Sequence, residues 1–155
     1  MAFILFLSGR SQNKDVPFTY VDASGRQPTS WNKVLKLEFA KGVENSLRFG
    51  STINLDLTNL SGNSIRFPQG FNLRIFDFTD GVKEIKNDMQ YTGAKYIIFP
   101  SIKQLADPVV TVSFNSQIQA DTNHKIRVFV IGEMLNDDPQ KTQLVGAYMD
   151  IEMHP

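Results

Sequence analysis

At 155 residues the chain has the length of one domain with an arm, and a chain of this size buries roughly 70% of its unfolded surface without covalent staples. Sixteen basic residues balance sixteen acidic ones, so the charge gives no reason to expect nucleic acid or another polyanion as partner. The absence of cysteine excludes disulfides, a thiolate metal site, a cysteine nucleophile and a lipid anchor on cysteine.

Residues 2–7 (AFILFL) are apolar without a break. That run is far shorter than the ~20 residues a membrane helix needs, and no basic stretch precedes it as in a signal peptide. Phe3, Ile4, Leu5, Phe6 and Leu7 therefore admit three readings. They form an edge strand of the domain, or the trailing end of a membrane anchor with Arg10 and Lys14 at the membrane edge, or a donor strand that completes a neighbouring subunit's sheet. Residues 8–30 are polar and broken by Gly9, Pro17, Gly25 and Pro28, with Val16, Phe18, Tyr20 and Val21 as the apolar anchors. They read as an extended arm or linker, which divides the chain into 1–30 and a domain at 31–155.

Within the domain the apolar pattern has a period of two. Leu35, Leu37 and Phe39 alternate with Lys36 and Glu38. Ile53, Leu55 and Leu57 alternate with Asn54, Asp56 and Thr58, and a turn cluster with Gly62 follows. Ile65 and Phe67 resume the pattern and residues 68–70 break it. Phe71, Leu73 and Ile75 then share one parity while Phe76 and Phe78 take the other, which predicts a bulge or a crossing between sheets. Asp80 and Gly81 signal a hairpin returning through residues 82–85. Residues 96–99 form a short two-sided apolar run, and Val110, Val112 and Phe114 mark another strand. Finally, residues 125–134 and 144–153 flank NDDPQKT as a closing hairpin. About eight strands and no helical period predict an all-β protein, a two-sheet antiparallel sandwich. Leu55, Leu57, Phe67, Leu73, Val112, Val128 and Ile151 are its expected core.

Reactive constellations are scarce. His124 and His154 have no second histidine or carboxylate at metal-ligand spacing, so no metal is expected and substitution of either should be neutral. No nucleophile elbow, phosphate-binding loop or dinucleotide fingerprint is present, and no cofactor is called for. Asp77 with Asp80, and Glu133 with Asp137 and Asp138, lack calcium-loop spacing and read as solvated turn acids. Asn59 begins a glycosylation sequon in form but suits a strand-closing turn cap. Arg66, Arg74 and Arg127 lie between core-facing residues and read as solvated sheet arginines.

Some strands are apolar on both faces. Ile126, Val128 and Val130 oppose Phe129 and Ile131, Ile97 and Phe99 oppose Tyr96 and Ile98, and Phe76 and Phe78 add to the excess. A wet outer face would alternate cleanly, so part of this one is expected to be covered by the arm or by a partner. Phe76, Phe78, Tyr96, Ile97, Phe99, Phe129 and Ile131 are the candidate interface.

The run L-x-L-T-N-L-S-G-x-x-I-x-F-P from Leu55 to Pro68, followed by F-x-L-x-I-F-D-F-x-D-G from Phe71 to Gly81, resembles bacterial immunoglobulin-like surface domains. It is also similar to the intracellular proteinase-inhibitor-like β-sandwich family, and I-R-V-F-V-I-G with V-G-A-Y-M-D-I-E-M-x-P resembles the closing hairpin of such domains. The likeness implies an immunoglobulin-like sandwich and an adhesion, scaffold or inhibitor role. The resulting expectation is a non-enzymatic module outside a bacterial cell or on its surface, acting by protein–protein contact or self-association, with the N-terminal run as a candidate membrane anchor. A carbohydrate- or peptide-binding module using Tyr91 and Tyr96 is the alternative, and a small hydrolase the third reading.

Overall fold

The computed structural model describes residues 26–68, 70, 71, 73–85, 96–98, 100, 108–115, 118–136 and 141–155. The apolar run at 2–7, with Phe3, Ile4, Leu5, Phe6 and Leu7, lies outside them, as do Tyr91, Phe99, Asp137 and Asp138. No helix occurs among the described residues, and none there is long and apolar enough to cross a membrane. The strands are β1 (Ser30–Trp31), β2 (Leu35–Phe39), β3 (Thr52–Asn59), β4 (Ile65–Phe67), β5 (Arg74–Asp77), β6 (Lys83–Ile85), β7 (Tyr96–Ile98), β8 (Val109–Asn115), β9 (His124–Met134) and β10 (Gln143–Met153).

They form two sheets. The smaller has the order β2-β3-β8. The larger runs β1-β10-β9-β4-β7, with β5 also on β9 and β6 on β5. The chain is thus all-β, and the inner faces of the two sheets share one core. Alternation sets that core directly: Leu55, Leu57, Phe67, Leu73, Val112, Val128 and Ile151 are all buried, on the expected parity. Leu57 is fully enclosed, so Leu57→Ala is expected to cost about 2–5 kcal/mol in urea unfolding; a loss below about 0.5 kcal/mol would mean the faces of β3 are reversed.

The closing hairpin is the spine of the larger sheet. Its register pairs Met134 with Gln143 at one end and His124 with Met153 at the other. Along its other side β9 receives β4 and β5 in succession. Ile65 faces Met134 and Arg74 faces Phe129, so nine steps along β4–β5 match five along β9 and four residues are looped out. Gly70, at φ 84°, lies in that bulge, where Pro68 breaks the ladder. The predicted bulge therefore sits before β5, and no sheet crossing occurs within residues 74–77. Ile75 points inward and Phe76 and Phe78 point outward by ordinary alternation. On the inner face a Cβ at Gly132 would stand 2.6 Å from Ile65 and 2.8 Å from Phe67, so glycine lets β4 cross close over β9.

One pairing departs from the antiparallel expectation. β1 runs parallel to β10, with Ser30 opposite Val145 and Trp31 opposite Gly146. Asn32 then turns the chain towards the smaller sheet at φ 61°, a left-handed conformation asparagine tolerates well. Its backbone N–H donates to Gly146 O at 2.9 Å and its Oδ1 accepts from the Tyr148 N–H at 2.9 Å, which secures the strap-like entry of the domain.

Candidate functional site

The two outer faces of the sandwich differ chemically. On the smaller sheet the outward positions are Lys36, Glu38, Thr52, Asn54, Asp56, Thr58, Thr111, Ser113 and Asn115, with Val109 the apolar exception. They bond across strands: the Ser113 hydroxyl donates to Asn54 Oδ1 at 2.7 Å and the Thr111 hydroxyl to Asp56 Oδ1 at 3.0 Å. This is the wet face that an antiparallel sheet usually shows.

The larger sheet turns rings outward instead. Phe129 on β9 pairs laterally with Tyr148 on β10 and Arg74 on β5. The Trp31 ring lies 5.5 Å from Phe129 and 5.8 Å from Tyr148, and the Phe76 ring lies 5.6 Å from Phe129. Interplanar angles of 69°, 68° and 86° make these edge-to-face contacts, the arrangement that ring quadrupoles favour. Phe129 is 0% exposed although its strand presents it away from the core.

Guanidinium groups are threaded between the rings. Arg127 stands 4.3 Å from the Tyr148 ring centre and 5.5 Å from that of Phe78. Its Nε and a terminal nitrogen donate to the two oxygens of Asp150 at 2.6 and 2.8 Å, a bidentate pair. Arg127 is 1% exposed, so the expected solvated arginine is a buried one at this position; flat aromatic faces and a matched carboxylate make that burial tolerable. Arg74 lies 5.1 Å over Phe76 and is held by Glu84, while Arg66 donates to Glu133 Oε1 at 3.0 Å. Glu133 is thus engaged with Arg66 rather than being a solvated turn acid.

Trp31 fits only because β10 carries glycine beneath it. A Cβ at Gly146 would meet the indole carbons at 2.5 and 2.6 Å. Gly146→Ala should therefore displace Trp31, costing about 1–3 kcal/mol and shifting the fluorescence of the single tryptophan; unchanged fluorescence would show that the indole does not rest there.

Of the candidate interface residues, Phe76, Phe78, Phe129 and Ile131 lie on this outer face. Phe76 and Phe129 are in ring contact, and Arg127 links Phe78 to the group. Ile97 is opposite Arg66 on β7, towards the far edge of the sheet, and Tyr96 is opposite Phe67 in the backbone register. Trp31 and Tyr148 are not among the candidates the sequence offers; Arg74 and Arg127 are expected on the outer face as solvated arginines and instead pack against its rings. Tyr148 was legible in principle, because pairing the closing hairpin about its turn sets it beside Phe129.

A second cluster occupies one end of the sandwich interior. Asp77 closes β5 on its inward parity and is 3% exposed, not a solvated turn acid. His124 Nδ1 is 2.6 Å from Asp77 Oδ2, and since an ionised carboxylate only accepts, the ring N–H donates. The Thr79 N–H donates to Asp77 Oδ1 at 3.0 Å, and the Lys125 N–H donates to the Thr79 hydroxyl at 2.8 Å. Burial pushes the Asp77 carboxyl up, but the hydrogen bonds from His124 and Thr79 and the attraction of His124 outweigh it and hold the group below its ordinary value. Phe49 meets the imidazole edge-on at 5.8 Å. His124 is therefore a structural partner, which corrects its reading as a neutral loop residue. Among the described residues no group of three potential ligands could hold a metal.

Asn59 is fully buried. Its Oδ1 accepts from the Ser61 N–H and hydroxyl, and its Nδ2 donates to the carbonyls of Asn63 and Ile98, so it is the turn cap that the pattern predicts.

No family model, curated protein or solved structure matches the chain.

Proposed function

We propose that this protein is a non-enzymatic, immunoglobulin-like β-sandwich module that works by protein–protein contact, at a cell surface or outside the cell, through the outer face of its larger sheet. The observation that carries the proposal is the asymmetry of the two outer faces. One is a ladder of threonine, serine, asparagine and charged residues; the other sets Trp31, Phe76, Phe78 and Tyr148 among Arg74 and Arg127. Aromatic and arginine side chains are enriched where proteins meet one another. The immunoglobulin-like reading is supported by the chain changing sheet between β1 and β2, β3 and β4, β7 and β8, and β8 and β9. A carbohydrate platform is disfavoured by the ring angles, since stacking on a sugar uses a flat open face and these rings stand edge-on to one another.

The test compares the two faces. A photo-crosslinking amino acid is placed at Phe78 or at Lys36 in cells that make the protein. Crosslinks to protein from position 78 and none from position 36 are expected. Equal yields from both positions, or adducts to glycan alone, would overturn the proposal.

A further inference from the structure

We propose that β8, at the edge of the smaller sheet, is a docking site for a second copy of this chain, whose own β8 pairs with it antiparallel about a two-fold axis at Thr111. The inference concerns the smaller sheet and is independent of the contact reading of the larger one. The hydrogen-bond phase of β8 carries it. The Asn59 N–H donates to Pro108 O at 3.0 Å, and in an antiparallel ladder such bonded pairs recur at every second residue. Val110, Val112 and Phe114 therefore exchange bonds with Leu57, Leu55 and Ile53. Val109, Thr111 and Ser113 turn their N–H and C=O groups the other way. There β8 ends the order β2-β3-β8, and no strand among the described residues receives them.

Each other outer strand among the described residues is short or charged. β1 has two residues and β7 three, β6 is three residues with Lys83 and Glu84, and β2 carries Lys36 and Glu38. Short length and charge are how natural sheets guard their edges. β8 (VVTVSFN) runs for seven residues with no charge and no proline, the composition of a strand that accepts another. A second copy fits it. With the axis at Thr111, Thr111 meets its own counterpart and Val109 meets Ser113, three pairs that form about six backbone hydrogen bonds. On the inner face the half-buried Val110 comes beside Val112 of the second copy, and Val109, 39% exposed on the outer face, is covered as well. Charge does not oppose the seam. The nearest ionised group is Asp56, one strand inward, whose Oδ1 accepts from the Thr111 hydroxyl at 3.0 Å. Three strand spacings, about 14 Å, separate the two Asp56 residues across the seam, beyond the screening length of about 8–10 Å.

The chain has no cysteine, so a single introduced thiol reports on the register. Full-length Thr111→Cys, Val109→Cys and Lys36→Cys are oxidised with glutathione disulfide, and the covalent dimer is measured on non-reducing gels. Two facing strand residues lie about 5.5 Å apart, within disulfide reach, whereas the two Val109 residues are offset by four positions, about 13 Å. Rapid dimer formation from position 111, and little from 109 or 36, is expected. No dimer from position 111, or equal yields from 109 and 111, would overturn the proposal. Sedimentation equilibrium of the unsubstituted chain should show a monomer–dimer equilibrium that stops at two copies, because a two-fold seam consumes both edges. Thr111→Pro removes an N–H that points away from β3 and should raise the dimer dissociation constant about tenfold or more. A chain that stays monomeric, a proline variant that dimerises equally well, or growth beyond two copies would overturn the proposal; the last would show a head-to-tail contact holding the chains. Thr111→Cys preserves the strand and decides the matter even where the proline variant fails to fold.

Discussion

Phe129→Ala is expected to destabilise the fold by about 3–5 kcal/mol, as much as the loss of a large core side chain, although the position faces away from the core. The ring is fully enclosed and meets Trp31, Phe76 and Tyr148 at 5.5, 5.6 and 5.8 Å. Truncation removes the buried ring and leaves three aromatic neighbours facing a void, so the transfer and cavity costs add. Edge-to-face pairs contribute about 0.5–1.5 kcal/mol each beyond their buried area, and Arg127 beside Tyr148 loses part of its packed surroundings. Phe39→Ala is the control: Phe39 is 39% exposed at the end of β2, and substitutions of that kind usually stay within about 0.5 kcal/mol. Urea unfolding of both variants decides the matter. If Phe129→Ala matches Phe39→Ala, the outer face has no packed layer and is an ordinary solvated sheet surface.

That second packed layer shows what the sequence makes legible. In β3 a period of two assigns Ile53, Leu55 and Leu57 to the core without any knowledge of partners, because each side chain's face depends only on its own strand. The same rule reveals that Phe129 and Phe76 break the pattern of a wet outer face. What answers the excess lies elsewhere in the chain. Trp31 reaches the cluster only because β1 adds parallel to β10 above Gly146, a pairing between two residues with no shared local signal. Arg127 looks like a solvated arginine until the register sets Asp150 opposite it and Tyr148 beside it. The bulge lies earlier than the parity suggests: alternation through Phe76 and Phe78 looks like a change of sheet, whereas the ladder on β9 is interrupted before Arg74, where Pro68 stands.

Asp77 and His124 stand 47 residues apart, which is why spacing rules for metal or catalytic pairs pass over them. His124→Phe is expected to cost about 1.5–3 kcal/mol near neutral pH, the range for losing a hydrogen bond to a charged group and leaving that group buried. The ring of phenylalanine retains the contact with Phe49, so most of the loss is assigned to the carboxylate. The pH dependence separates this pair from simple packing. Asp77 is held below its ordinary value, so its folded pKa lies under the unfolded value of about 3.9. Its contribution is fully present above the unfolded value and is lost as pH falls through the folded one. The native protein should therefore lose thermal stability between about pH 5 and pH 3, partly through this group. Removing His124 removes both a hydrogen bond and a charge that hold the pKa down, while burial still pushes it up. The melting temperature of His124→Phe should then fall less steeply over that window, so that the gap to the native protein narrows in acid. Parallel melting curves from pH 5 to pH 3 would show that the histidine serves packing alone.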